Sequence, residues 1–379
     1  MTSADTLRER IAREIHSRGP IPFSRYMELC LYEPELGYYS RKREQFGKGG
    51  DFYTSSDVHA VFGRLLARQF DEMWRSMGAP SRIEIVELGP GRGLFVQDVL
   101  DWADKKLWDF RDALVYRLVE SSPGLRERLI ERFATRIARG NLSVHSSLDE
   151  LPTLAEHVII FGNEFFDALP VDVVTCQGEL RIGYENGRFV EVFSSPSPQE
   201  LEYLDHYAVL PAEDQRVEAR LADAPYMEQF AGRVKRGYIV LVDYGYTREE
   251  LLAGRRGSTV RAFRRHSISD TPYEAPGEQD ITAHVNFTAL REIGQAAGLQ
   301  QLALVTQAQF LMGIGEANHF ADAFEDVILP QEHAKVSLQL KHLVMPSGMG
   351  EAFQVLVMKN GVEKEKAARL SGLKFMRHL

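Results

Sequence analysis
The chain reads as an α/β protein on a mostly parallel sheet, and three observations predict it. From Ser81 onward, short aliphatic runs alternate with helical patterns, the texture of repeated βαβ units. The first run, Ile83–Leu88, passes directly into Gly89-Pro-Gly-Arg-Gly93, whose alternating glycines let the chain turn sharply and let a ligand approach the backbone. A helical pattern then opens at about Leu94, so its unpaired N–H groups face whatever the loop holds.

Taken in order, residues 1–80 carry two helical patterns, Asp5–Ser17 and Val58–Met77, and are expected to form an N-terminal helical cap. Between them lies an irregular stretch rich in Gly and Tyr, ending in the polar loop Gly49-Gly-Asp-Phe-Tyr-Thr-Ser55, with Ser56 or Asp57 placed to cap the next helix. Strand-like runs follow at Ile83–Leu88, Leu114–Val119, Leu142–His145, His157–Phe161, Tyr238–Val242, Leu302–Thr306 and Phe353–Met358. They predict a seven-stranded core over residues 81–170 and 232–360. No obvious long helical pattern adjoins the last run, which suits an antiparallel final strand. Residues 171–231 form an insertion that begins with hairpin-like runs Val171–Cys176, Leu180–Tyr184 and Phe189–Phe193, turning at Gln177-Gly178 and Asn186-Gly187. Residues 246–286 read as a long ordered loop, and residues 361–379 as a lysine-bearing tail whose order the sequence leaves open.

Composition excludes several classes. With 379 residues the chain can bury a sizeable core, and 44% hydrophobic with 26% charged content is that of a globular protein. A net charge of −9 argues against an overall grip on nucleic acid phosphates. No apolar run of about 18 residues occurs, so no membrane insertion is expected. Two distant cysteines, Cys30 and Cys176, give neither a disulfide framework nor a zinc site, and the scattered histidines lack metal spacing, so no metal is expected. Asp5, Glu9 and Glu14 among the N-terminal arginines speak against a transit peptide, and a cytoplasmic, reducing compartment is the expectation.

The glycine loop departs from the dinucleotide fingerprint G-x-G-x-x-G, which needs glycine where this chain has Leu94. Glu87 stands two places before the first glycine. The resulting E-x-G-x-G-x-G is similar to the loop of methyltransferases that use S-adenosyl-L-methionine, in which a positive sulfonium replaces a pyrophosphate. Glu120, at the end of the second run, is either the acceptor for ribose hydroxyls or a solvated strand-end acid. Asn163, Glu164 and Asp167 stand at the carboxyl edge of the sheet beside Phe165 and Phe166, a combination expensive to bury without partners. Carboxylates here could orient a guanidinium fork; the alternative makes Asp167 a helix cap and the two phenylalanines core.

The set Gly50-Asp-Phe-Tyr-Thr-Ser55, Glu87-Leu-Gly-Pro-Gly-Arg-Gly93, Asn163-Glu-Phe-Phe-Asp-Ala-Leu-Pro-Val171, Asp243-Tyr-Gly245 and Pro276-Gly-Glu-Gln-Asp-Ile-Thr-Ala-His-Val285 resembles the MidA family over about residues 5–360. The resemblance implies a class I methyltransferase, a Rossmann-like fold with inserted elements over the site, with S-adenosyl-L-methionine as cofactor. It implies methylation of a protein arginine, to symmetric dimethylarginine, on the quinone-module iron–sulfur subunit of respiratory complex I in mitochondrial members. Gly89, Gly91 and Gly93 would contact the cofactor's amino acid part and Glu120 its ribose, with Glu87 flanking the loop. Asp51, Tyr53, Thr54 and Ser55 would close over the cofactor, and Asn163, Glu164 and Asp167 would face the transferred methyl. Ser56-Asp57 and Ser267-Ile268-Ser269 depart from the family pattern, which leaves the substrate open. A small-molecule O- or N-methyltransferase and a non-catalytic assembly protein are the alternatives, and the oligomeric state is not legible.

Overall fold
A computed structural model describes residues 6–40, 60–253, 258–264, 267–269 and 271–376. In chain order its strands are β1 (Ile21–Pro22), β2 (Ile83–Leu88), β3 (Leu114–Val119), β4 (Leu142–His145), β5 (His157–Asn163), β6 (Asp172–Thr175), β7 (Gly178–Glu185) and β8 (Arg188–Ser194). The second half adds β9 (Arg216–Ala219), β10 (Arg236–Tyr246), β11 (Arg261–Arg264), β12 (Ser267–Ser269), β13 (Asp280–Thr282), β14 (Val285–Asn286), β15 (Gln300–Thr306) and β16 (Phe353–Asn360).

The main sheet runs β15-β16-β10-β5-β2-β3-β4, with β14 beside β10, so it has eight strands where seven were expected. The addition is two residues long and carries no sequence signal of its own. Strands β4, β3, β2, β5 and β10 are parallel neighbours, whereas β16 is antiparallel to both β10 and β15. Every residue of β2 is buried, which is why its sequence is a continuous apolar run broken only by Glu84 and Glu87. One face packs on the Val61–Ser76 and Leu94–Lys106 helices through Phe62, Leu65, Phe70, Phe95 and Val99; the other packs on Phe230, Phe287 and Leu290. From β2 the chain steps outward to β3 and β4, then returns to the opposite side of β2 as β5. That reversal opens a crevice at the carboxyl ends of β2 and β5.

The N-terminal region contains more helix than its sequence suggested. Thr6 and Glu9 form a capping box for the Leu7–Arg18 helix, and a second helix, Phe23–Tyr32, occupies part of the stretch read as irregular. Both pack on a five-stranded sheet ordered β1-β7-β6-β9, with β8 on β7, so Ile11, Tyr26 and Met27 share one core with Val173, Leu180 and Ile182. Part of the presumed loop at 246–286 is a second small sheet, β12-β11-β13. Its strands are three or four residues each, too short for alternation to register.

Helices Gln307–Glu316 and Pro330–Val344 lie between β15 and β16, correcting the expectation of no long helix there. Leu338 in the second is exposed, which weakens its amphipathic pattern. The described part of the tail is packed: Ala367, Leu370 and Leu373 are buried, and the Gly372 N–H donates to Gln69 Oε1 at 2.8 Å. No helix among the described residues is long and apolar enough to cross a membrane.

Candidate functional site
A cavity of about 550 Å³ fills the crevice. Its floor is the β2 loop. Gly89, Gly91 and Gly93 have φ of 59, 52 and 74°, the left-handed region in which a side chain is strained. The Gly89 N–H donates to Val119 O at 2.9 Å, pinning the loop against β3, and the Gly93 N–H donates to Pro90 O at 2.8 Å within the loop. A Cβ on Gly93 would lie 2.7 Å from Leu129 and 2.8 Å from Phe133, so the loop also needs glycine for its packing.

Two buried acids border this floor. Glu87 accepts from Tyr116 Oη at 2.8 Å, and burial pushes its carboxyl up to about 8, against the lowering effect of that phenol; the Glu120 charge adds to the rise. Glu120 ends the turn out of β3 and accepts from the Ser122 N–H at 2.9 Å and the Gly91 N–H at 3.2 Å. Burial raises it to about 7, opposed by those two backbone donors. It is therefore not the solvated strand-end acid of the alternative reading: it is 6% exposed and lines the cavity.

The opposite wall is the turn after β5. Glu164 has φ of 51°, unusual for a residue with a side chain, and is held there by its N–H to Val242 O at 2.9 Å. Asn163 Nδ2 donates to Glu164 Oε1 at 3.0 Å, leaving Asn163 Oδ1 buried without a hydrogen-bond partner. Asp167 accepts from Tyr244 Oη at 2.6 Å on Oδ2, while its Oδ1 is likewise buried and unpartnered. Burial raises the Asp167 carboxyl, against the lowering effects of Tyr244 and Arg220. Asn163, Glu164 and Asp167 all line the cavity with Glu87, Gly89, Gly91 and Glu120, whereas Gly93 packs behind the loop against Leu129 and Phe133. Asp51, Tyr53, Thr54 and Ser55 lie outside the described residues. Asp167 caps no helix, Phe166 is core, and Phe165 lines the cavity edge-on to Tyr226 at 5.1 Å.

Sequence reasoning missed the frame behind this wall. Asp243, three residues before the end of β10, accepts from the N–H groups of Phe166 (3.0 Å), Asp167 (3.2 Å) and Tyr244 (2.9 Å). Burial, then the charges of Asp167 and Glu164, hold its carboxyl well above the usual range. Arg220, fully buried, pairs with Asp223 at 2.9 Å and donates to the Phe166 carbonyl. Tyr32 and Tyr39 bring the N-terminal region onto the cavity, Tyr32 Oη donating to Ala168 O at 2.9 Å. The Asp243-Tyr-Gly245 block was visible in the sequence; Arg220 and the tyrosines had no spacing to mark them.

Residues 65–305 match the model of a family described as "Putative S-adenosyl-L-methionine-dependent methyltransferase". Among curated proteins, the chain is 30% identical to the mitochondrial protein arginine methyltransferase NDUFAF7 homolog of Drosophila melanogaster, over 94% of this chain and 85% of that one. It is 27% identical to the mitochondrial protein arginine methyltransferase NDUFAF7 of Homo sapiens, over 91% and 81%. Among solved structures, it superposes with a TM-score of 0.82 on a Burkholderia thailandensis protein bound to S-adenosyl-homocysteine, at 27% identity, covering 98% of this chain and 95% of that one. The mitochondrial names of the relatives overturn the cytoplasmic expectation, which rested on a few acidic residues near the N-terminus.

Proposed function
The chain belongs to this family of S-adenosyl-L-methionine-dependent methyltransferases, and from that premise we propose that it methylates an arginine side chain of a protein. The carrying observation is the set of acceptors at the β5 turn. Asn163 Oδ1 and Asp167 Oδ1 are buried and unpaired beside the Glu164 carboxylate, and a guanidinium, which has only donors, satisfies all three. The names of the relatives point the same way.

The cavity suits the methyl donor. Its volume accommodates a nucleoside with an amino acid arm, the left-handed glycines leave the backbone open, and the two acids whose carboxyls burial raises sit where a cationic ligand would relieve them. In this reading Gly89, Gly91 and Gly93 hold the amino acid arm, Glu87 supports the loop, and Glu120 accepts from the ribose hydroxyls. The donor supplies an electrophilic methyl carbon. Asn163, Glu164 and Asp167 would hold the guanidinium so that one nitrogen lies in line with that carbon and its sulfur; as the N–C bond forms the C–S bond would break, leaving S-adenosylhomocysteine, and a carboxylate would receive the proton shed by the nitrogen. The surrounding phenylalanine and tyrosine rings exclude water.

We read the main sheet as that of a class I methyltransferase, residues 1–80 as its cap and 171–231 as an insertion over the site. We take the acceptor to be a protein, an iron–sulfur subunit of respiratory complex I being the first to test. The experiment is incubation of the enzyme and tritiated donor with a lysate, followed by hydrolysis of labelled protein. Label in methylarginine is expected, lost in Glu164→Gln. Label confined to free metabolites, or an undiminished Glu164→Gln rate, would overturn the arginine reading or the role of Glu164 respectively.

A further inference from the structure
Away from the cavity, three carboxylates converge where the insertion folds on itself. Asp172 opens β6, Glu179 lies on β7 and Glu200 on the Pro198–Tyr207 helix, and one oxygen from each lies within 4.8 Å of the others. Glu200 is 2% exposed and Glu179 6%. Glu200 Oε2 accepts from the Ser197 N–H at 2.5 Å as part of a helix cap, but its Oε1 is buried with no hydrogen-bond partner, and so is Asp172 Oδ1. Among the described residues, Glu179 alone of the three has an ion-pair partner, Arg181 at 3.1 Å, with Ser194 Oγ also donating to it at 3.1 Å.

Three clustered carboxylates against one guanidinium leave two negative charges in a buried pocket, an arrangement that is costly without a cation. We propose that Asp172, Glu179 and Glu200 form a binding site for a hard divalent cation of the calcium class. Oxygen ligands at about 2.4 Å from an ion sit at most about 4.8 Å apart, the limit within which these oxygens fall. The two unpartnered oxygens supply the missing ligation, and an ion of charge two balances the pocket. Calcium tolerates the irregular geometry of ligands drawn from two strands and a helix better than magnesium, which demands near-ideal octahedral coordination. The surroundings agree: burial pushes the Asp172 carboxyl up to about 6 despite a hydrogen bond from Ser24, with Glu200 and Glu179 adding to the rise. An ion here would clamp β6 to β7 and to the helix that follows, three residues beyond the cavity-lining Leu169.

The test is calorimetric titration of the chelator-treated full chain with calcium chloride, and separately with magnesium chloride, alongside thermal unfolding with and without each ion. One calcium per chain and a raised Tm are expected, with magnesium weaker. Asp172→Asn and Glu200→Gln should each weaken calcium by at least about tenfold while leaving S-adenosyl-homocysteine binding intact, which also reports that the variants are folded. No saturable uptake of either ion by the folded chain at millimolar concentration would overturn the proposal and leave a shared proton as the compensation. Undiminished uptake in both variants would overturn it too, by placing the ion elsewhere.

Discussion
Tyr244 donates to Asp167 Oδ2 at 2.6 Å across the gap between β10 and the β5 turn, while the other Asp167 oxygen stays unpaired in the cavity wall. The phenol fixes the carboxylate's orientation and opposes the upward push of burial on its titration. Asp167→Asn should lower kcat by roughly 10²-fold or more, the usual cost of losing a positioned acid–base group. Tyr244→Phe should cost less and move the acidic limb of the rate profile to higher pH, because removing the donor lets the Asp167 carboxyl rise further. A profile left in place would remove Tyr244 from the mechanism.

Binding of the cationic donor should release protons near neutral pH. In the free protein Glu87 is raised to about 8 and Glu120 to about 7, so both are partly protonated at pH 7, and a nearby positive charge lowers them. The calorimetric enthalpy of S-adenosylmethionine binding should therefore differ between phosphate and Tris buffers. Glu120→Gln should shrink the difference and weaken binding.

Glu87 also sets a pH dependence of stability. Its folded value of about 8 lies above the unfolded 4.5, so the unfolded chain loses this proton first, and the group costs stability increasingly as pH rises between those values. Glu87→Gln keeps an acceptor for Tyr116 without the charge. Its advantage over the wild type should grow between pH 5 and 8 and then level off, which denaturant midpoints at three pH values would show; a constant gap would refute it.

Gly93→Ala combines a positive φ of 74° with a Cβ 2.7 Å from Leu129. The backbone strain alone costs about 1–2 kcal/mol. Unfolding should show at least that loss, and titration with S-adenosyl-homocysteine should show weakened binding as the loop shifts.

Arg220 is buried with Asp223 as its ion-pair partner. Replacing it with Met leaves an uncompensated buried carboxylate and should cost about 3–5 kcal/mol. Arg220→Met combined with Asp223→Leu should recover part of that loss in the same urea titration, and no recovery would mean the lost bond to the Phe166 carbonyl dominates.

The alternating strands, the glycine turn and the acid-rich end of β5 were legible because each is a local pattern whose chemistry lies within a few residues. β2 and its loop are contiguous, so Glu87, Gly89 and Gly91 could be placed on the cavity from sequence. Asp243, Arg220 and Tyr32 could not, since each reaches the β5 turn from a distant part of the chain. β11, β12 and β13 escaped for a different reason: strands of three or four residues are held by their neighbours and carry too little alternation to be read alone.

Strand β16 lies between β10 and β15, antiparallel to both, and comes from residues 353–360 of a 379-residue chain. During synthesis, then, β10 and β15 have no bond to one another, and each presents an open edge until β16 is made. The nascent protein can assemble its ligand crevice early, since β2, β3 and β5 precede residue 164, yet its sheet closes only when β16 arrives. Loss of β16 would leave the cavity walls encoded and the fold unsealed, so a single strand that lines no part of the cavity decides whether the molecule survives its own synthesis.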